Sequence, residues 1–235
     1  MRIRNKPWVR EELDNSSIFI KNPEEYKGKW NKLFKNDNPI HLELGCGKGY
    51  FVKQAIFKNP EINYIAVDLI DVILGMANRN ISEEANGRKI NNLAITRYDV
   101  EEINNIIDKE DNIERIYINF CNPWPKPRHK KRRLTHLRQL EKYKLFLNEN
   151  AEIYFKTDDD ELFTESLEYF KKAGFEEIKI TYDLENEPEF WDNIETEHEI
   201  MFKKDGIKIK AGIFKLKALW FKSTFIKKLF IEHFL

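Results

Sequence analysis

The sequence predicts an α/β domain, a mostly parallel seven-stranded sheet with helices on both faces. Three observations predict it. Short apolar runs rich in Ile, Leu and Val alternate along the chain with helical apolar stripes. A glycine-rich loop, Gly45-Cys46-Gly47-Lys48-Gly49, follows the first clear run. Acidic residues then stand at the ends of the next two runs, Asp68 and Asp99. In such a fold ligands sit beyond the carboxyl ends of the strands, near the switch in strand order.

The elements follow in order. Residues 1–37 are polar with scattered aromatics and read as an N-terminal arm with a short helix near 26–34. The domain proper spans 38–217. Ile40, Leu42 and Leu44 alternate as a strand. Val52, Ala55 and Ile56 take helical spacing, stopped at Asn59-Pro60 because the residue before proline is biased out of the helical region. Residues 62–67 form a second strand, and Ile73, Ala77 and Ile81 mark a helix. Residues 93–98 and 116–120 are the third and fourth strands. Leu137, Leu140, Tyr143 and Leu147 form a helical stripe, and 153–155 is a fifth strand. Phe163, Leu167 and Phe170 lie on a helix that Gly174 ends as the first residue past its cap. Residues 175–182 and 207–216 are the late strands. Residues 218–235 form a tail whose Phe221, Phe225, Ile226, Leu229 and Phe230 give an apolar stripe between lysines. Packing on the domain, a dimer contact and a membrane-surface helix all suit that stripe.

Composition bounds the function. Formal net charge is +0, from 40 basic and 40 acidic side chains, so global charge selects no partner. The distribution is sorted: 126–133 is basic, while 158–161 and 185–199 are acidic. Sorted charge lets a chain bind RNA locally; a solvated charged face is the plain alternative. Two cysteines 75 positions apart make neither a disulfide framework nor a zinc site, so no metal is expected. They suit a reducing compartment. The opening residues lack the apolar core of a signal peptide, and no run of about 18 apolar residues is present to span a membrane. A cytoplasmic enzyme that needs no membrane fits these limits, as monomer or homodimer.

The glycine loop reads G-x-G-x-G, with Glu43 two residues ahead of it. Glycines at Gly45, Gly47 and Gly49 permit a tight turn and close approach of a ligand to the backbone. A dinucleotide fingerprint needs a glycine at Tyr50, and a phosphate-cradling loop needs Gly-Lys-Ser/Thr; both fail. Asp68 can accept both ribose hydroxyls of an adenosine, and Asp99 can accept from an adenine amine. The set suits a nucleoside without pyrophosphate, S-adenosylmethionine.

The stretch after the fourth strand carries the second signal. Asn119-Phe-Cys-Asn-Pro-Trp-Pro-Lys-Pro127 ends the strand in a proline-locked aromatic loop. Six of the eight residues from Lys126 to Arg133 are cationic. A rigid loop followed by a cationic arm suits a polyanion held beside a pocket.

With this loop and arm in view, the chain resembles the bacterial tRNA (guanine-N7)-methyltransferases over roughly residues 1–217. The likeness includes the opening Met-Arg-Ile-Arg-Asn-Lys-Pro-Trp, the Glu43 glycine loop, Phe155-Lys-Thr-Asp158 and Thr196-Glu-His-Glu199. It implies a Rossmann-like class I methyltransferase fold and methylation of the variable-loop guanosine of tRNA at position 46. It implies that Glu43, Gly45, Gly47, Gly49, Asp68, Asp99 and Asn122 line the cofactor site, with Asn122 at the reacting centre. Lys126, Asp158, Thr196 and Glu199 would meet the substrate base, and Arg128, His129, Lys130, Lys131, Arg132 and Arg133 the RNA. The chain departs from the family at Asn122 and Asp68, where Asp and Glu are common, and at His198, where Tyr is common. Two other readings have different signatures. A non-catalytic RNA binder has no use for an intact cofactor loop, and a small-molecule methyltransferase has no use for the arm.

Overall fold

The computed structural model describes residues 6–217. Their apolar runs assemble into one eight-stranded sheet. The strands are β1 (Phe19–Ile20), β2 (Ile40–Leu44), β3 (Asn63–Asp68), β4 (Leu93–Arg97), β5 (Ile113–Asn119), β6 (Leu147–Thr157), β7 (Phe175–Thr181) and β8 (Lys210–Leu216). Their order is β1-β4-β3-β2-β5-β6-β8-β7. Every neighbouring pair is parallel except those made by β8, which runs antiparallel to β6 and β7. The helices are α1 (Trp8–Asp14), α2 (Trp30–Phe34), α3 (Val52–Lys58), α4 (Asp71–Ala85), α5 (Leu137–Tyr143), α6 (Asp160–Lys172) and α7 (Glu197–Lys204).

Seven strands are those the sequence predicts. The eighth, β1, pairs in parallel with β4 through two residues, too few for alternation to reveal. Alternate residues along the strands feed two layers. Leu42, Leu44, Ile65, Val67, Ile116, Ile118, Ile153 and Phe155 join Trp30, Leu140, Phe163 and Phe170 of α2, α5 and α6. On the opposite side Tyr64, Ala66 and Ile95 join Val9, Leu13, Val52, Ala77 and Ile81 of α1, α3 and α4. Burying each large aliphatic side chain contributes about 1.5–3 kcal/mol.

The segment read as an arm is knitted into these layers. Trp30 is fully buried; its Nε1 donates to the Ile106 carbonyl at 2.8 Å, and its backbone N–H donates to Asp111 Oδ1 at 3.1 Å. Val9 of α1 lies close against Gly75 of α4, where a Cβ would meet both Val9 methyls at 3.1 Å. A second difference concerns Leu147. Its spacing continues the α5 stripe, yet α5 ends at Tyr143 and Leu147 opens β6. Helix and strand deliver apolar residues to the same core here, so spacing alone does not separate them. Gly174 does follow the α6 cap, with φ +86° and its N–H on the Lys171 carbonyl. The apolar stripe of the 218–235 tail lies outside the described residues.

Connectivity places the site. The chain steps from β2 out to β3 and β4, then returns to the other side of β2 with β5 and continues to β6. Connections leaving β2 and β5 therefore diverge, and a crevice opens between them at their carboxyl ends. Among the described residues no helix is long and apolar enough to cross a membrane.

Candidate active site

A cavity of about 860 Å³ occupies that crevice. Its floor is the loop after β2. Gly45 and Gly47 take φ +77° and +53°, and the N–H groups of Gly45 and Cys46 both donate to the Val67 carbonyl at the end of β3. Asp68 completes the turn, accepting from the Gly47 N–H at Oδ2 and the Ile70 N–H at Oδ1, each at 3.0 Å. Burial pushes the Asp68 carboxyl above its ordinary range, against the pull of those backbone donors.

Glu43 stands at the back of the cavity, 2% exposed. Asn119 Nδ2, from the neighbouring strand β5, donates to its Oε1 at 3.0 Å, while Oε2 is buried without a partner. Burial pushes the Glu43 carboxyl up to about 8; the Asn119 bond and the Lys156 charge pull the other way. A buried acceptor left open is costly, so this oxygen calls for a donor from a ligand.

The opposite wall is the proline-tryptophan loop after β5. Phe120 and Trp124 take left-handed backbone conformations, φ +53° and +43°. Non-glycine residues there cost on the order of 1–3 kcal/mol each and persist only where neighbours enforce them. The Phe120 N–H is fixed on the Lys156 carbonyl at 2.9 Å, and the Trp124 N–H on Asn122 Oδ1 at 3.0 Å. A 3₁₀ turn, Pro127–Arg132, carries the basic arm past Trp124, with the Arg132 guanidinium 5.2 Å from the indole centroid. The roof is the start of α7, where Thr196, Glu197 and His198 line the cavity. The His198 ring stacks 5.8 Å from that of Phe120.

The family model described as "Putative methyltransferase" matches residues 37–211. Among curated proteins, the tRNA (guanine-N(7)-)-methyltransferase of Clostridium beijerinckii is 58% identical over 212 residues, covering 89% of this chain and 96% of its own length. The same-named protein of Clostridium perfringens strain 13 is 55% identical, covering 92% and 99%. The chain belongs to the tRNA (guanine-N(7)-)-methyltransferase family. Solved methyltransferases share the fold at low identity. The 16S rRNA methyltransferase KamB superposes with TM-score 0.59 at 13% identity, covering 80% of this chain and 93% of its own. TrmN from Thermus thermophilus gives 0.52 at 16%, covering 89% and 52%.

In this methyltransferase, Glu43, Gly45, Gly47, Asp68, Asp99, Asn122 and Thr196 all line one cavity. Asp99 lies two residues beyond β4 and caps a 3₁₀ turn by accepting from the Glu101 N–H. Cys46 and Cys121 follow the neighbouring strands β2 and β5, and both line the cavity as free thiols. The residues fit S-adenosylmethionine. The open Glu43 oxygen suits an α-ammonium, Asp68 suits ribose hydroxyls, and Gly47 faces space where a Cβ would meet nothing within 4 Å.

Four expected contacts are corrected. Gly49 touches no ligand space; a Cβ there would sit 3.1 Å from that of Ala77, so its smallness seats the loop on α4. Glu199 is 1% exposed and consumed by Lys156, Asn193 and the capping box it forms with Thr196. Arg133 is 1% exposed, with Nη1 on Glu165 at 2.6 Å, Nη2 near Glu161 and Nε donating to the Pro123 carbonyl. It anchors the loop to α6 and has no surface for a phosphate. Lys130 is turned inward onto Glu161 and Glu165. Lys126, Arg128, Lys131 and Arg132 are exposed, and His129 leans its ring toward Trp124. Asp158 is half-buried just past β6, outside the cavity lining; Asp159, not Asp158, caps α6. Sequence reasoning assigned Lys156 no role. It lies one residue from the end of a buried strand, where a lysine stands out against Phe155 and Ile153.

Proposed function

We propose that this chain transfers the methyl group of S-adenosylmethionine to N7 of guanine in tRNA, at position 46 of the variable loop, giving 7-methylguanosine. One observation carries the reading: the open carboxylate oxygen of Glu43 and the Trp124–Arg132 pair border the same cavity. A nucleoside cofactor and an RNA base can therefore meet inside it. The names of the curated relatives support the same substrate. A tRNA substrate and two free cysteines suit a cytoplasmic enzyme.

When bound, S-adenosylmethionine supplies an electrophilic methyl group on a sulfonium. Guanine N7 carries an in-plane lone pair and no proton, so no side chain has to act as a base. Positioning is the main lever. Glu43 holds the amino end and Asp68 the ribose. Trp124 offers a face on which a base extracted from the tRNA stacks, worth about 1–3 kcal/mol against the lost pairing. Asn122 presents its amide at the cavity wall, where positive charge builds on the purine, and a dipole there stabilises it less than a carboxylate would. Lys126, exposed two residues past Trp124, suits O6 or a phosphate, and Asp158, outside the cavity lining, suits the Watson–Crick edge only of a base that reaches beyond the cavity. Lys126, Arg128, Lys131 and Arg132 position the RNA backbone.

The test is incubation with unmodified tRNA and methyl-labelled S-adenosylmethionine, followed by nucleoside analysis. Label in 7-methylguanosine at position 46 is the expected result. Label in another nucleoside, or none with cofactor demonstrably bound, overturns the assignment.

A further inference from the structure

Behind the cavity, one buried ammonium stands between two buried carboxylates. Lys156 of β6 is in register with Asn119 of β5 and is 2% exposed. Its Nζ donates to Glu199 Oε2 at 2.6 Å, to Asn193 Oδ1 at 2.9 Å and to the Ile194 carbonyl at 3.0 Å. All three acceptors belong to the segment 193–199, which supplies the cavity roof. That segment has other ties: Ile194 is buried in the layer of α1, α3 and α4, and Lys203 pairs with Glu195. Lys48 meets Glu197 across a pair whose side chains are about 40% exposed, and Gln54 donates to the Glu195 carbonyl. On its other side Lys156 neighbours Asn119, its register partner, whose Nδ2 donates to Glu43 Oε1, and the Lys156 charge pulls the Glu43 carboxyl down while its Oε2 stays open.

The charges do not balance. Glu43 and Glu199 bring two negative charges against one positive, all at 1–2% exposure. An uncompensated buried charge is expensive, so burial favours the protonated form of Glu43 and pushes its carboxyl up to about 8. A cationic amino group at Glu43 Oε2 replaces that proton. It completes a row of alternating charge, ligand ammonium, Glu43, Lys156 and Glu199, in which Asn119 stands between Glu43 and Lys156. Ionised Glu43 and Glu199 both favour the ammonium form of Lys156, against the burial that lowers it. Each link then strengthens the next.

We propose that Lys156 is a positioning residue that couples occupancy of the Glu43 carboxylate to closure of segment 193–199 over the cavity. Lys156 already holds the segment that carries the roof residues Thr196 and His198, and a seated cofactor tightens that hold. This rests on the cavity being the cofactor site. The groups facing the relay are Asp68, Cys46 and Tyr117 around Glu43, and Glu195 with Glu199 around Lys156.

The experiment uses the full chain with S-adenosylhomocysteine as probe, in wild type, Lys156→Met and the double variant Lys156→Met with Glu199→Gln. The double variant removes both charges and keeps the test decisive should the single variant leave Glu199 stranded and unfold. Hydrogen exchange is followed in segment 193–199. Saturating probe should slow exchange about fivefold or more in wild type and leave both variants unchanged while still bound. A second readout separates coupling from mere support. Wild-type affinity should rise with pH until Glu43 is ionised in the free protein, near 8. Without Lys156 the carboxyl goes higher, so the rise should extend to higher pH in both variants. Equal slowing in the variants, or an unmoved pH profile, overturns the proposal. A wild type that does not bind the probe instead overturns the cofactor reading beneath it.

Discussion

Asn122 and Arg133 show how far a residue's type underdetermines its role. Asn122 accepts the Trp124 N–H and thereby helps hold that residue at positive φ, while its amide faces the cavity. A carboxylate keeps the turn bond and adds Coulomb attraction to the charging purine. Asn122→Asp should therefore stay within about tenfold of the wild-type single-turnover rate, and Asn122→Ala should lose roughly a hundredfold. Full activity in the Ala form would confine Asn122 to the turn; a dead wild type revived by Asp would make a carboxylate essential. Arg132 and Arg133 are adjacent in sequence and opposite in duty. Arg133→Ala leaves Glu165 with Lys130 and Tyr169 only and frees the Pro123 carbonyl. Because the two glutamates remain partly exposed, the loss should be on the order of 2–3 kcal/mol in urea unfolding, the range for hydrogen bonds to charged groups. Arg132→Ala should leave stability within about 0.5 kcal/mol, as for an exposed site, and weaken tRNA binding. The reverse pattern would return Arg133 to the RNA surface.

At the scale of elements, the glycine loop binds with its first half and packs with its second. Gly49 has φ +74°, and a Cβ there would crowd Ala77 at 3.1 Å and Ile81 Cδ1 at 3.2 Å on α4. Gly87, just past α4, has φ +81° with nothing within 4 Å of a Cβ. Gly87→Ala should show only the backbone term, about 1–2 kcal/mol. Gly49→Ala should add crowding of about 1–3 kcal/mol. Equal losses of melting temperature would mean that α4 yields and Gly49 serves the turn alone. The contrast marks what the sequence could disclose. Spacing placed Glu43, Asp68 and the glycines at strand ends because alternation and turn chemistry are local. It did not separate Gly47, which faces the cavity, from Gly49, which meets a helix from 22 residues or more further along. The Lys156–Glu199 pair was invisible for the same reason: 43 residues separate partners that only the β5–β6 register and the α7 cap bring together. β1 and Leu147 were misread where a segment was too short or its spacing served two elements.

For the whole molecule, a formal charge of zero means that RNA binding has to come from where the cations lie. Arg132 lines the cavity, and with it Lys126, Arg128 and Lys131 are exposed without a carboxylate partner among the described residues, while Lys130 and Arg133 are neutralised by α6. The arm therefore carries fewer available charges than its sequence suggests. Each exposed cation that meets a phosphate displaces counterions and steepens the dependence of log K on log salt by about 0.7–0.9. Removing Lys131 should flatten the slope for unmodified tRNA by that amount. Lys172 supplies the control. It is exposed at the far end of α6, about 10 Å along the helix beyond Glu165, where Lys130 and Arg133 meet that helix, taking about 1.5 Å per residue. Lys172→Ala changes net charge as much as Lys131→Ala does, yet it lies beyond a Debye length of about 8 Å at physiological salt. Its slope should match wild type. Filter-binding titrations across salt concentrations compare the three proteins directly. Equal flattening by both substitutions would mean that overall charge, rather than the arm beside Trp124, draws the tRNA, and the placement of RNA at this cavity would lose its electrostatic support.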